Sequence, residues 1–156
     1  MRVLSAFVLA VGVLLTVGSS SPAQDKKDDK KKQERPKLDA KEWKKLDSGL
    51  EVWDVKEGKG DAAKGGAKVT VHYTGWLTDA KATEFDSSRT EGEPATFTLK
   101  TGPGGVISGW VEGIPGMKPG GVRRLKIPAA LAYGEKGHPA GIPPNAVLVF
   151  EVELIK

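Results

Sequence analysis

Apolar and polar residues alternate in several short stretches between positions 50 and 155, with the two-residue period of half-buried strands. Leu50–Val55 alternates in this way. Lys68–Gly75 sets Val69, Val71 and Tyr73 on one face and His72 on the other, where His72 reads as a polar face residue. Pro94–Lys100 puts Phe97 and Leu99 together. In Gly120–Ile127, Val122, Arg124 and Lys126 alternate with Arg123, Leu125 and Ile127 before Pro128 ends the run. Ala146–Ile155 turns Leu148, Phe150, Val152 and Leu154 inward and Val147, Val149, Glu151 and Glu153 outward.

Loops separate these stretches. Glu57–Gly66 is rich in Gly, Asp and Lys, Leu77–Glu84 is a polar turn, and Glu135–Asn145 carries three prolines. Asp86-Ser87-Ser88 reads as turn chemistry, a carboxylate and two hydroxyls bonding local amides.

One stretch has a helical signal, Gly104–Met117, and Pro115-Gly116 stops it after about two turns. Trp110 follows Gly109 and precedes Gly113 by three residues, so on a helix neither neighbour shields the indole. Trp110 is then either an ordinary core residue or the floor of an open apolar pocket. No helix is long enough to connect parallel strands. The expected fold class is α+β, an antiparallel sheet of about five or six strands curled over one short helix.

The first 46 residues have another texture. Met1-Arg2 and the apolar run Val3–Val17 match the start of a secretory signal, with small residues before a cleavage site after Ala23. The run is shorter than the ~20 apolar residues of a membrane span. The mature chain is expected outside the cytoplasm, periplasmic or extracellular; membrane attachment would require an uncleaved signal. Residues 24–46 hold ten Lys/Arg against six Asp/Glu and little apolar surface. They are expected to form a charged flexible linker, with order beginning near Lys41–Leu46 because Trp43 is unusual in a tail. The expected division is 1–23 signal, 24–46 linker and 47–156 domain.

Net charge is +4 for the whole chain, yet residues 47–156 carry thirteen basic against fourteen acidic groups. A nearly neutral domain argues against nucleic acid as a partner. Without cysteine there is no disulfide, thiol nucleophile or cysteine metal site, and only two histidines, His72 and His138, are on hand for a metal or catalytic constellation. No cofactor or metal is expected.

From about Ser48 onward the chain resembles the FKBP-type peptidyl-prolyl cis-trans isomerases, the rapamycin-binding immunophilins. The resemblance rests on Val71-His72-Tyr73-Thr74-Gly75, Phe85-Asp86-Ser87-Ser88, Val106-Ile107-x-Gly109-Trp110, Ala132-Tyr133-Gly134, Gly137-His138-Pro139 through Ile142-Pro143-Pro144-Asn145, and Leu148–Leu154, in that order. It implies a half-open antiparallel sheet around a short helix, with Trp110 as a pocket floor walled by Tyr73, Phe85, Phe97, Val106, Ile107 and Phe150. It further implies donors at Tyr133 and the Ile107 amide, a carboxylate at Asp86, and a loop presenting His138 and Ile142 over the mouth. Three departures stand out: Ala95 where many members carry an aromatic, two extra residues between Gly75 and Phe85, and Glu91 in place of a cation facing Asp86, with Arg89 as a substitute.

The implied activity is rotation of Xaa-Pro bonds in folding polypeptides, catalysed by Tyr73, Phe85, Asp86, Ile107, Trp110, Tyr133 and Phe150, with Phe97, Val106, His138 and Ile142 binding substrate. Breaking amide resonance costs ~18–20 kcal/mol but cleaves no bond, so neither nucleophile nor metal is needed. The implied partners are proline-containing polypeptides and macrolide inhibitors, and a monomer is expected. The alternative is a non-catalytic proline-docking or chaperone module using the same pocket.

Overall fold

The computed structural model describes residues 33–156. The expected signal at 1–23, its cleavage site and positions 24–32 of the expected linker lie outside the described residues.

Val69, Val71 and Tyr73 commit β3 (Lys68–Leu77) to one inward face, and this ten-residue strand is the spine of the sheet. Along one edge it pairs with β7 (Leu148–Leu154), from Val71 opposite Leu154 to Leu77 opposite Leu148. The other edge is shared. β5 (Ala95–Thr98) pairs with Lys68–Val71, and β4 (Glu84–Ser87) takes over at Thr74. Beyond β7 lie β6 (Val122–Ile127), β2 (Glu51–Lys56) and the two-residue β1 (Lys44–Lys45). All pairs are antiparallel, and among the described residues there are seven strands. The added pieces are short: β1, and β4 in the segment expected to be a turn, which runs into a single helical turn, α1 (Ser88–Glu91).

The helix α2 (Ser108–Gly113) has six residues, too few to persist alone. Packing holds it. Trp110, Ile114 and Met117 are buried with Leu50, just before β2, and with Leu125, Ile127, Leu148, Phe150 and Val152 of the sheet's inner face. The two glycines explain the close approach. A Cβ on Gly109 would lie 2.4 Å from Cγ2 of Ile127, and one on Gly113 would lie 2.7 Å from Cδ2 of Leu125. The glycines therefore seat α2 on β6, which differs from the expected purpose of leaving the indole unshielded. Arg123 completes the seat. Its Nη1 donates to Gly113 O at 2.8 Å and Pro115 O at 3.3 Å, meeting carbonyls that a helix end leaves free, while its Nε pairs with Asp54 at 2.6 Å.

The described part of the expected flexible linker is laid against the outer face of the sheet, which corrects the reading of residues 33–40 as a solvated spacer; in Lys41–Leu46, where order is expected to begin, β1 forms. Gln33 bonds Glu151 and, at 2.8 Å, Thr74. Arg35 donates to Leu77 O and Asp79 O, Lys126 reaches Leu38 O, and Trp43 meets Trp53 edge-on at 5.6 Å. Pro36 is buried. Charge density argued for disorder, but Gln33, Arg35, Leu38 and Trp43 find partners on Thr74, Leu77, Lys126 and Trp53 of the sheet.

Candidate active site

Trp110 is 4 % exposed, and three rings meet it edge-on: Tyr73 at 5.3 Å, Phe97 at 5.4 Å and Phe150 at 5.4 Å between centroids. Each ring comes from a different strand, β3, β5 and β7, whose pleat turns that residue toward α2. Edge-to-face packing sets the positive rim of one ring against the negative face of another, worth about 0.5–1.5 kcal/mol per pair beyond burial. Phe85, from β4, joins through Phe150 at 5.5 Å. These two rings pass over Gly75, where a Cβ would come within 2.7 Å of Phe85 and 2.8 Å of Phe150. Gly75 is thus a site-forming residue that sequence reasoning did not single out; its place between Thr74 and Trp76 in a strand was the available signal.

Polar groups stand at the edge of this aromatic cluster. The Tyr73 hydroxyl donates to Asp86 Oδ2 at 2.7 Å. Burial, then that hydrogen bond and the carboxylate's charge, push the Tyr73 phenol well above its ordinary range. Tyr133 is raised as well, by burial first and then by the charge of Asp86, which puts Tyr133 within electrostatic reach of the same carboxylate. Both phenols are therefore protonated donors at neutral pH. The Ile107 amide, at the N-terminal boundary of α2, takes no backbone partner among the described residues. The indole N–H of Trp110 is buried and likewise has no partner among them.

Ile107 and Val106 are half-buried against the core cluster, as expected of wall residues. His138 is exposed and packs on Tyr133 with ring centroids 4.7 Å apart. Its loop closes on itself: His138 and Ile142 exchange main-chain bonds at 2.8 and 3.1 Å. Ile142 departs from expectation. It is 5 % exposed and packs into the core, so it anchors the loop and is not presented by it. Arg89 departs too, pairing with Glu153 of β7 at 2.5 Å while Asp86 takes Tyr73. Ala95 is half-buried opposite Val71 and adds no ring to the wall.

The arrangement is a dry aromatic cluster with neutral donors at its edge and one carboxylate occupied in holding a phenol. Among the described residues no three His, Cys, Asp or Glu side chains converge on a possible metal position.

Comparison with known proteins agrees with this architecture. Residues 59–155 match the sequence profile described as FKBP-type peptidyl-prolyl cis-trans isomerase. An FK506-binding protein of Neisseria meningitidis serogroup B is 52% identical over 108 residues, covering 69% of this chain and 95% of the relative. The crystal structure of FkpA from Escherichia coli superposes with a TM-score of 0.67 at 47% identity, covering 76% of this chain and 52% of that one, so this chain spans about half of FkpA. The crystal structure of AtFKBP13 gives a TM-score of 0.65 at 40% identity, covering 74% of this chain and 98% of the other. With the matched profile spanning most of the chain and the relative's identity extending over nearly its full length, this chain belongs to the family of FKBP-type peptidyl-prolyl cis-trans isomerases.

Proposed function

We propose that this chain is an exported prolyl isomerase that accelerates Xaa-Pro rotation in folding polypeptides by taking the prolyl ring onto Trp110. The observation that carries the reading is the set of rings around Trp110 with protonated donors beside it. A planar amide is more dipolar than a twisted one. A surface of ring edges and faces solvates the twisted form relatively better than water does, which is differential binding of the transition state.

In this reading the Ile107 N–H and the Tyr133 hydroxyl hold the carbonyls flanking the rotating bond, and Asp86 keeps the Tyr73 hydroxyl turned to the edge of the cluster. No proton moves and no bond breaks. An acceleration of about 10⁴–10⁶-fold requires about 5–8 kcal/mol, within the reach of such an environment. His138, stacked on Tyr133, contacts the residues flanking proline. Substrates are unfolded or partly folded proline-containing chains, the protein acts as a monomer, and FK506 competes for the pocket, as the name of the Neisseria relative suggests. Export follows from the apolar run at Val3–Val17, and the mature chain begins at Gln24.

The test is cis–trans exchange on short Xaa-Pro peptides followed by NMR, with the chain from residue 24 and with and without FK506. Fast exchange suppressed by FK506 is expected. Tight binding of the macrolide or peptide without acceleration would replace the enzyme with a proline-docking module. Mass spectrometry of the protein recovered outside the cytoplasm should show Gln24 as its first residue; residues 1–23 retained on that protein would overturn the cleavage.

A further inference from the structure

β3 has a gap on one edge. β5 pairs with it as far as Val71 and β4 resumes at Thr74, so no strand residue stands opposite Tyr73 on that side. A buried main-chain N–H and C=O left there would be two unmet groups. Side chains at the start of α1 meet both. The Tyr73 N–H donates to Ser88 Oγ at 2.9 Å, and the hydroxyls of Ser87 and Ser88 each lie 3.3 Å from Tyr73 O. Ser88 is 1 % exposed, polar, and otherwise without a role in the site.

Counting protons assigns the bonds. Glu151 can only accept, so Gln33 turns its amide NH₂ to it and its Oε1 toward Thr74. Thr74 therefore donates to Gln33 and accepts from Ser87, 2.9 Å away, which uses the single Ser87 proton. The Ser88 proton then goes to Tyr73 O. The second lone pair of Ser88 accepts from His72 Nδ1 at 3.1 Å, which fixes the histidine tautomer. Every hydroxyl in the chain donates once and none accepts more than twice.

Asp86 stands two residues before Ser88, so one short segment grips Tyr73 at both ends: Asp86 holds the phenol and Ser88 holds the main chain. We propose that Ser88 is a positioning residue for the isomerase reaction, acting through Tyr73 by fixing its backbone so that the hydroxyl reaches Asp86. The inference rests on the isomerase reading above.

A double-mutant cycle on the full chain tests it: the unsubstituted protein, Ser88→Ala, Tyr73→Phe and the double variant, each assayed for kcat/KM on an Xaa-Pro peptide and for melting temperature. Ser88→Ala is expected to lower kcat/KM about tenfold, through kcat more than KM, in a folded protein. In the Tyr73→Phe background the same substitution should cost less than about twofold, because its effect passes through a hydroxyl already removed. Should Ser88→Ala not fold, Ser88→Cys keeps the volume, weakens the hydrogen bonds and carries the same cycle. Equal losses in both backgrounds, or no loss in a folded Ser88 variant, overturn the proposal. An inactive unsubstituted chain would remove the isomerase reading and this inference with it, whereas an active chain with additive losses removes only the inference.

Discussion

At the scale of single residues, the site depends on space withheld as much as on groups supplied. Gly75 has no Cβ because the rings of Phe85 and Phe150 occupy that volume. Gly75→Ala should force both rings off their rotamers, costing about 1–3 kcal/mol by urea denaturation, with a larger proportional loss of isomerase activity. An activity loss no greater than the destabilisation explains would separate these rings from catalysis. The tyrosines give a pH signature. Tyr73 and Tyr133 titrate higher in the folded protein than in the unfolded chain, whose phenols ionise near pH ~10. The unfolded state then releases protons first. The stabilisation from these groups is full below about pH 10 and is lost as pH rises above it. Denaturation midpoints should therefore fall on the alkaline side of pH ~10, and Tyr73→Phe should flatten the fall. The same fall in that variant would show that other groups cause it.

At the scale of elements, the strands with clear alternation were legible: β2, β3, β5, β6 and β7 begin and end within two residues of where period two put them, and Trp110 stood out by its glycines. What escaped reading depends on partners distant in sequence. β4 and α1 are built from Glu84–Glu91, whose polar residues give no alternation because their partners are the hydroxyl and main-chain groups of β3. Ile142 looked like a loop-tip contact because nothing local indicates that its loop folds inward. Arg123 sits among inward-facing positions of β6, where an unpaired cation would be costly, and only the structure shows that α2 ends directly above it. That arrangement makes a prediction. Arg123→Met keeps much of the stem but leaves the carbonyls of Gly113 and Pro115 without their donor, at a cost of about 1–3 kcal/mol. Because α2 carries Trp110, activity should fall with the loosened helix, and amide hydrogen exchange in residues 108–114 should accelerate. Unchanged exchange there would mean that packing alone holds α2.

At the scale of the whole molecule, the sheet has a covered outer face. Trp76 and Val149 are opposite each other on adjacent strands, on the side away from α2, and both are buried. The main-chain and side-chain bonds from Gln33, Arg35 and Leu38 end on Thr74, Leu77 and Lys126, which frame that pair. Farther along, Trp43 packs on Trp53, whose ring also lies 4.3 Å from the Arg124 guanidinium, and Arg124 pairs with Glu151, the residue that Gln33 bonds. The segment from residue 33 is therefore continuous with the structure that carries the rings on the opposite face. A chain beginning at Asp47 should lose about 1.5–3 kcal/mol for each large side chain it uncovers, and its tryptophan emission should shift to longer wavelength. Its urea midpoint should drop accordingly, while activity per folded molecule falls less, because Tyr73, Phe97, Trp110 and Phe150 keep their own contacts. Equal midpoints for the two chains would mean that ordering these fourteen residues costs as much entropy as their contacts return, leaving the strap without net effect on stability.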